Sequence, residues 1–443
     1  MAKSIERKEF LKYAGLGMGG LALTGLFGCA PDDDVAVTNN DAEALVLKPV
    51  PDTPLKLGGQ WILSGPLGTY GEFAMQGVNM AVDEINANGG VLGREIEFIV
   101  LDDEMGPDVG IRNARRLVME DEVEAMIGTD SSGVALALKP VVEDELQVPW
   151  IVTHASTPRL TEGPGGHMKY TFRISTILSA NKIAAARLIN ELDLPYQRIA
   201  HVSPDYAYGY DGWSVFRSEV GKLRPDIELG VAEAWAPFGT TDFTPHITTL
   251  LEAEPDLVFS TLWAGELVTF IRQALGFDFF EQTDFMVGMG ASTDVLYALG
   301  DEAPEGIWAS NRYWFQYPPW ETWEINKKFN EDFTNRYGTH PAYVAETSYS
   351  AIYSIKAAIE RHYTLTGGDY PNSDQLARAL EGLAVATPGG IRYFRPGDHQ
   401  ATNNVTWGRY KHDPNYDIPI LDPMYHFPAE EVTPEVGVIT SAE

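Results

Sequence analysis

Residues 55–103 read LKLGGQWILSGPLGTYGEFAMQGVNMAVDEINANGGVLGREIEFIVLDD. The first nine, LKLGGQWIL, read as a strand, and Gly65-Pro66-Leu67-Gly68 follows as a turn. Ala74, Val78, Ala81, Val82 and Ile85 then recur at helical spacing, which gives one buried stripe. Asn88-Gly89-Gly90 places glycine just past the last apolar position, where a helix can close in left-handed backbone. Ile96, Phe98 and Val100 alternate, which is the period of a strand. Strand, helix and strand in this order form a βαβ unit. Its two strands run parallel, because the helix carries the chain back across the sheet.

The same alternation continues down the chain. Pro107 opens a helix with Ile111, Ala114, Leu117 and Val118 on one face. Strand 124–128 leads to Ser131-Ser132-Gly133 and a further helix, and strand 149–154 follows. A second series starts with helix 181–193 and strand 198–203, and runs through to strand 306–310. An aromatic segment, NRYWFQYPPW (311–320), comes next, then helices 321–337, 345–365 and 374–382 and a β-rich stretch at 390–427. Strands alternating with helices imply parallel sheets, and two such series imply an α/β protein of two doubly wound parallel-sheet lobes. Ligands of such sheets sit beyond the carboxyl ends of the strands.

The first residues read as an address. Lys3, Arg7, Lys8 and Lys12 precede the uncharged, apolar residues 13–28, the layout of a signal peptide. As a helix these would span about 24 Å, short of the roughly 30 Å core of a bilayer. Gly15, Gly17 and Gly20 match a dinucleotide-binding spacing, but no strand precedes them, so the match carries no meaning. Leu26-Phe27-Gly28-Cys29 resembles the lipobox of bacterial lipoproteins, whose cysteine is lipidated. Arg7-Lys8-Glu9-Phe10-Leu11-Lys12 resembles a twin-arginine export signal with Lys8 in place of the second arginine. Residues 29–55, rich in Pro, Asp, Asn and Thr, read as a flexible tether.

Composition excludes several functions. The 443 residues include 63 acidic and 32 basic side chains, a formal charge of -31. Such a surface repels phosphate backbones and anionic lipid, so no nucleic-acid partner is expected. One cysteine permits no intrachain disulfide and no Cys-based metal cluster. The nine histidines show no metal-binding spacing, and neither a nucleophile elbow nor a phosphate loop occurs. No enzyme activity, cofactor or metal site is expected.

The run from Gly65-Pro66-Leu67-Gly68-Thr69-Tyr70-Gly71 through Asn86-Ala87-Asn88-Gly89-Gly90-Val91-Leu92-Gly93-Arg94 to Asp102-Asp103 resembles the opening of the leucine/isoleucine/valine-binding family of type I periplasmic binding proteins. Ile127-Gly128, Ser131-Ser132, His154-Ala155-Ser156-Thr157-Pro158 and Asp205-Tyr206-Ala207-Tyr208-Gly209 continue the likeness, as does Phe270-Ile271-Arg272-Gln273-Ala274. The resemblance covers roughly 56–425. It implies two lobes joined by a three-stranded hinge, with crossings near 170–180, 308–316 and 384–392. The corresponding division is signal peptide 1–28, lipid-anchored linker 29–55, lobe 1 at 56–175 and 311–388, and lobe 2 at 176–310, with a closing segment and tail at 389–443. The lobes would close over one small solute and deliver it to an ABC permease, the protein acting as a monomer. A sensor of the same fold feeding a signalling partner is the alternative, and a hydrolase on the same scaffold is a third reading without a supporting constellation.

The resemblance also implies which residues touch the ligand. In lobe 1, Ser132, Ala155 and Ser156 would bind a carboxylate through hydroxyls and backbone N–H groups, with Tyr70 and Ser131 beside them. Ser132 also reads as a plain helix cap. In lobe 2, Tyr208 and Trp263 would close over the ligand with aromatic rings, and Tyr313 and Trp314 sit at a crossing. Met289 stands where the family's amino-acid binders often carry a glutamate for the ligand's ammonium group. Either Asp130, Asp205 or Glu266 replaces it, or the solute is no α-amino acid, because an unpaired buried charge is costly. Met289, Trp263, Tyr70 and Tyr208 suit an apolar or aromatic carboxylate, or a neutral amide.

Overall fold

The computed structural model describes residues 47–162, 168–316 and 322–440. The expected signal peptide, Cys29 and the start of the tether lie outside the described residues. The first sheet contains β1 (Leu55–Trp61), β2 (Ile96–Asp102), β3 (Ala125–Gly128), β4 (Trp150–Val152) and β5 (Thr171–Arg173). Its spatial order is 2-1-3-4-5 and every pairing is parallel. The second sheet contains β6 (Arg198–Pro204), β7 (Glu228–Ala236), β8 (Leu257–Ser260), β9 (Asp284–Val287) and β10 (Trp308–Asn311). These five repeat the order of the first sheet, as 7-6-8-9-10, again in parallel. In each lobe the chain therefore switches direction between the first and third strands, and the crevice at their carboxyl ends is where such sheets take ligands.

The closing segment adds what parallel lobes alone would lack. β11 (Ala384–Thr387) and β12 (Gly390–Tyr393) form an antiparallel hairpin of their own. β13 (Val405–Lys411) and β14 (Ile420–Phe427) then extend the second sheet, β13 antiparallel to β10 and β14 antiparallel to β13. The chain returns from the hinge, at the carboxyl end of β10, so β13 has to run the other way. The hairpin occupies 384–393, which moves the third crossing to 401–404 instead of 384–392. It lies beside the first crossing at 174–177. Asn403 Nδ2 donates to the Ile174 carbonyl at 3.1 Å, and Gln400 Nε2 donates to the Ser175 carbonyl at 2.8 Å.

Helices cover both faces. In the helix Gly68–Ala87, Ala74, Val78, Ala81 and Ile85 are buried against the first sheet, at the spacing that one face of a helix requires. In the second lobe Val202, Val258 and Val287 pack on one face of the sheet, and Phe259, Met286 and Trp308 pack on the other. Tyr70, Tyr343 and Val344 of the first lobe belong to the same apolar cluster as Val258 and Met289 of the second, so the lobes meet through side chains as well as through the hinge. Among the described residues no helix is long and apolar enough to cross a membrane.

Candidate functional site

The carboxyl ends of β1, β3 and β4 face those of β6, β8, β9 and β10 across one cavity with an empty volume of about 460 Å³. Tyr70, Ser131, Ser132, Ser156, Tyr208, Trp263 and Met289 all line it. Glycine is required at one supporting position. Gly128, the last residue of β3, has φ 116°, and a Cβ there would stand 2.3 Å from the Gln60 carbonyl oxygen of β1. Only that close approach lets the loop from β3 turn up into the cavity.

The serines divide their work differently from the expectation. Ser131 is the helix cap: its hydroxyl accepts from the Val134 N–H at 3.4 Å. Ser132 is the first residue of the helix Ser132–Pro140, and its hydroxyl has no hydrogen-bond partner among the described residues. It is therefore available to a ligand, beside the free N–H groups of a helix start. Ala155 does not line the cavity. Its N–H already donates to the Thr129 carbonyl at 2.9 Å, so it cannot serve a carboxylate.

Arg312 was not among the expected site residues. It follows β10 directly, at the same level as the other strand ends, and it lines the cavity. Its Nη2 donates to Ser156 Oγ at 2.8 Å and its Nη1 donates to the His154 carbonyl. The guanidinium lies over the Tyr343 ring, 5.0 Å from its centre. No carboxylate among the described residues comes within 4 Å of it. A guanidinium keeps its charge in any protein environment, so the site holds a permanent cation with no carboxylate in ion-pair range among the described residues. Its neighbours in sequence turn away. The Tyr313 hydroxyl donates to Asn326 at 2.6 Å, and Trp314 packs into the second lobe's core.

Of the three carboxylates expected as replacement partners for an ammonium group, one lines the cavity and two do not. Asp130 lines the cavity, but both its oxygens are engaged, one by His154 Nδ1 at 2.7 Å and one by the Ile62 N–H at 3.0 Å. Asp205 accepts from the Tyr210 hydroxyl and Glu266 from the Gly239 N–H, and neither lines the cavity. The rest of the wall is aromatic. Trp263 meets Tyr70 edge-on across the cleft, with ring centres 5.1 Å apart, and its Nε1 donates to the Tyr206 hydroxyl at 3.0 Å. Among the described residues the buried Tyr70 hydroxyl has no hydrogen-bond partner.

Comparison with known proteins agrees with the two-lobe fold. Residues 54–414 match the family described as periplasmic binding protein. The chain is 26% identical over 358 residues to the Leu/Ile/Val-binding protein BraC3 of Rhizobium johnstonii, covering 80% of this chain and 91% of that protein. It is 29% identical over 234 residues to Leu/Ile/Val-binding protein homolog 7 of Brucella suis, and there it spans only 55% of that relative's length. An ABC transporter substrate-binding protein from Sphaerobacter thermophilus shares 26% identity and a TM-score of 0.74, covering 86% of this chain and 99% of that one. A solute binding protein of an ABC transporter from Rhodopseudomonas palustris BisB5, in complex with 3,4-dihydroxy benzoic acid, shares 24% identity and a TM-score of 0.73, covering 86% of this chain and 98% of that one. The chain belongs to the periplasmic binding protein family.

Proposed function

We propose that this protein captures a small organic acid between its lobes and presents it to the permease of an ATP-driven importer. Arg312 carries the reading. It is a fixed cation inside an aromatic cavity, flanked by Ser156 and without a carboxylate of its own. A ligand carboxylate supplies the missing charge, and Ser132 and Ser156 offer hydroxyls to its oxygens. Met289, Trp263, Tyr70 and Tyr208 surround the body of the ligand with apolar surface. The carboxylate that lines the cavity, Asp130, already accepts from the Ile62 N–H and His154, which favours des-amino and aryl acids over α-amino acids.

Calorimetry with leucine, valine, 4-methyl-2-oxopentanoate and 4-hydroxybenzoate tests this. The two acids without an amino group should bind more tightly than the amino acids. Arg312→Met should weaken acid binding by about 10- to 150-fold, the equivalent of about 1.5–3 kcal/mol for hydrogen bonds to a charged group. Tight leucine binding with no affinity for its 2-oxo analogue would refute the acid reading. Export with lipid anchoring at Cys29 is part of the same proposal, supported by the basic start, the apolar stretch and the lipobox-like residues. Cys29→Ala should release the mature protein from the membrane fraction, whereas a variant that stays bound and uncleaved would mark the segment as a membrane anchor.

A further inference from the structure

A second chamber opens beside the first. It shares Tyr208, Met289 and Arg312 with the main cavity, so the two are neighbours across those side chains. Its far wall is Asn181 and Lys182, from the helix Leu178–Glu191, and Gly288 at the end of β9.

Lys182 is 1% exposed. Its ammonium has one hydrogen-bond partner, Asn181 Oδ1 at 3.1 Å, and it lies over the Phe259 ring, 5.1 Å from the centre. Asn181 is itself held by Ser310, donating to its hydroxyl at 2.8 Å. A Cβ at Gly288 would fall 2.2 Å from Nζ, so the ammonium sits where only glycine leaves room for it. Among the described residues no carboxylate comes within 4 Å. Burial comes first, and then the like charge of Arg312, in pushing the Lys182 pKa down to about 7. An ammonium has three N–H donors, and two of these have no oxygen to meet.

Below about pH 7 two cations thus flank one pair of cavities, in a chain whose formal charge is -31. A buried cation without a counter-ion costs stability, so a fold that keeps two of them at a ligand cleft is built for negative charge brought from outside. The carboxylate that Arg312 attracts accounts for one.

We propose that Lys182 and Arg312 are the two poles of the binding site, and that the solute is a dianion: a dicarboxylate, or a carboxylate with a second acidic group that reaches past Met289 and Tyr208 to Lys182. This rests on the reading of Arg312 as the anchor of the first carboxylate. It adds a selection rule, since a monoacid leaves the second chamber without its counter-charge.

Calorimetry with matched pairs tests it, using benzoate against isophthalate and hexanoate against adipate. In the unaltered protein one diacid should bind at least about tenfold more tightly than its monoacid partner. Lys182→Met should cut that ratio to below about threefold. The unliganded variant should melt at or above the temperature of the parent, because it loses an uncompensated charge. The comparison in the unaltered protein stands even if the variant folds poorly. Equal affinities for mono- and diacid, or a ratio unchanged in Lys182→Met, would overturn the proposal while leaving the acid reading standing. So would a monoacid affinity that depends on chloride with no preference for diacids, which would assign the chamber to a free anion. Binding of leucine alone would overturn both readings.

Discussion

Asp103 is fully buried at the end of the first lobe's second strand, close to the cleft loop. It accepts from the Met105 N–H at 3.0 Å and from the Thr129 hydroxyl. Burial, and then the charge of Asp130, push its pKa up to about 6, against the pull of those two hydrogen bonds. The folded protein therefore holds this proton more tightly than the unfolded chain does. The contribution to stability is full below the ordinary carboxylate pKa of about 3.9 and is lost as pH rises through about 6. Asp103→Asn removes that dependence. The melting temperature of the variant relative to the parent should climb between pH 4 and pH 7, with a swing of order 2 kcal/mol. A difference that stays constant across that range would show that Asp103 titrates normally. Single residues were also where the sequence was least transparent. Seven of the expected positions meet at one cavity because each follows a strand, a property that alternation and glycine punctuation reveal. Arg312 has the same property. It stands in an aromatic run, however, where one arginine makes no pattern and the rings around it draw attention. The capping by Ser131 rather than Ser132, and the engagement of the Ala155 N–H, depend on a shift of one residue that no spacing encodes.

At the scale of elements, the helices Gly68–Ala87 and Tyr343–Thr366 pack so closely that a Cβ at Gly77 would lie 2.0 Å from the Ala345 carbonyl oxygen. The obstacle is backbone, so no rotamer change relieves it. Gly77→Ala should lower stability by about 1–3 kcal/mol through overpacking, despite alanine's better helix propensity. Gly221 in the helix Ala207–Leu223 is the control. It is exposed, and its nearest neighbour would be 3.8 Å away, so Gly221→Ala should stabilise by about 0.5–1 kcal/mol. Opposite signs in paired thermal melts would bear out the contact, and equal signs would deny it. The long helices and parallel strands were legible because each carries its own period in a run of apolar residues. The hairpin Ala384–Tyr393 was less so. Its alternation matches that of a hinge strand, and only pairing between its two arms distinguishes the two. β13 and β14 read as β-rich, but their direction depends on where the chain re-enters the second lobe, which is a property of the hinge.

For the whole molecule, two opposing fields meet at the cleft. The chain carries a formal charge of -31, and removing residues 1–28, with four basic and two acidic groups, leaves about -33. An acid approaching from solvent feels that net charge first. The attraction of Arg312 acts only near the cavity. At about 0.01 M salt the screening length is roughly 30 Å, comparable to the molecule, and at 0.1 M it shrinks to roughly 10 Å. Salt therefore removes the long-range repulsion while sparing the short-range attraction inside the cleft, where a partly buried pair is screened less. Association of an anionic ligand should accelerate with ionic strength, by several-fold between about 10 and 150 mM, the reverse of a charge-steered complex. Dissociation should change less, because it is set by contacts within the closed lobes. Stopped-flow fluorescence of the tryptophans, Trp263 among them, can follow both rates with 4-hydroxybenzoate or a diacid as ligand. An association rate that falls with salt would mean that the cleft's own positive field outreaches the molecule's negative one. Arg312→Met separates the two fields: it removes the local attraction and leaves the repulsion, so its association rate should rise more steeply with salt than that of the parent.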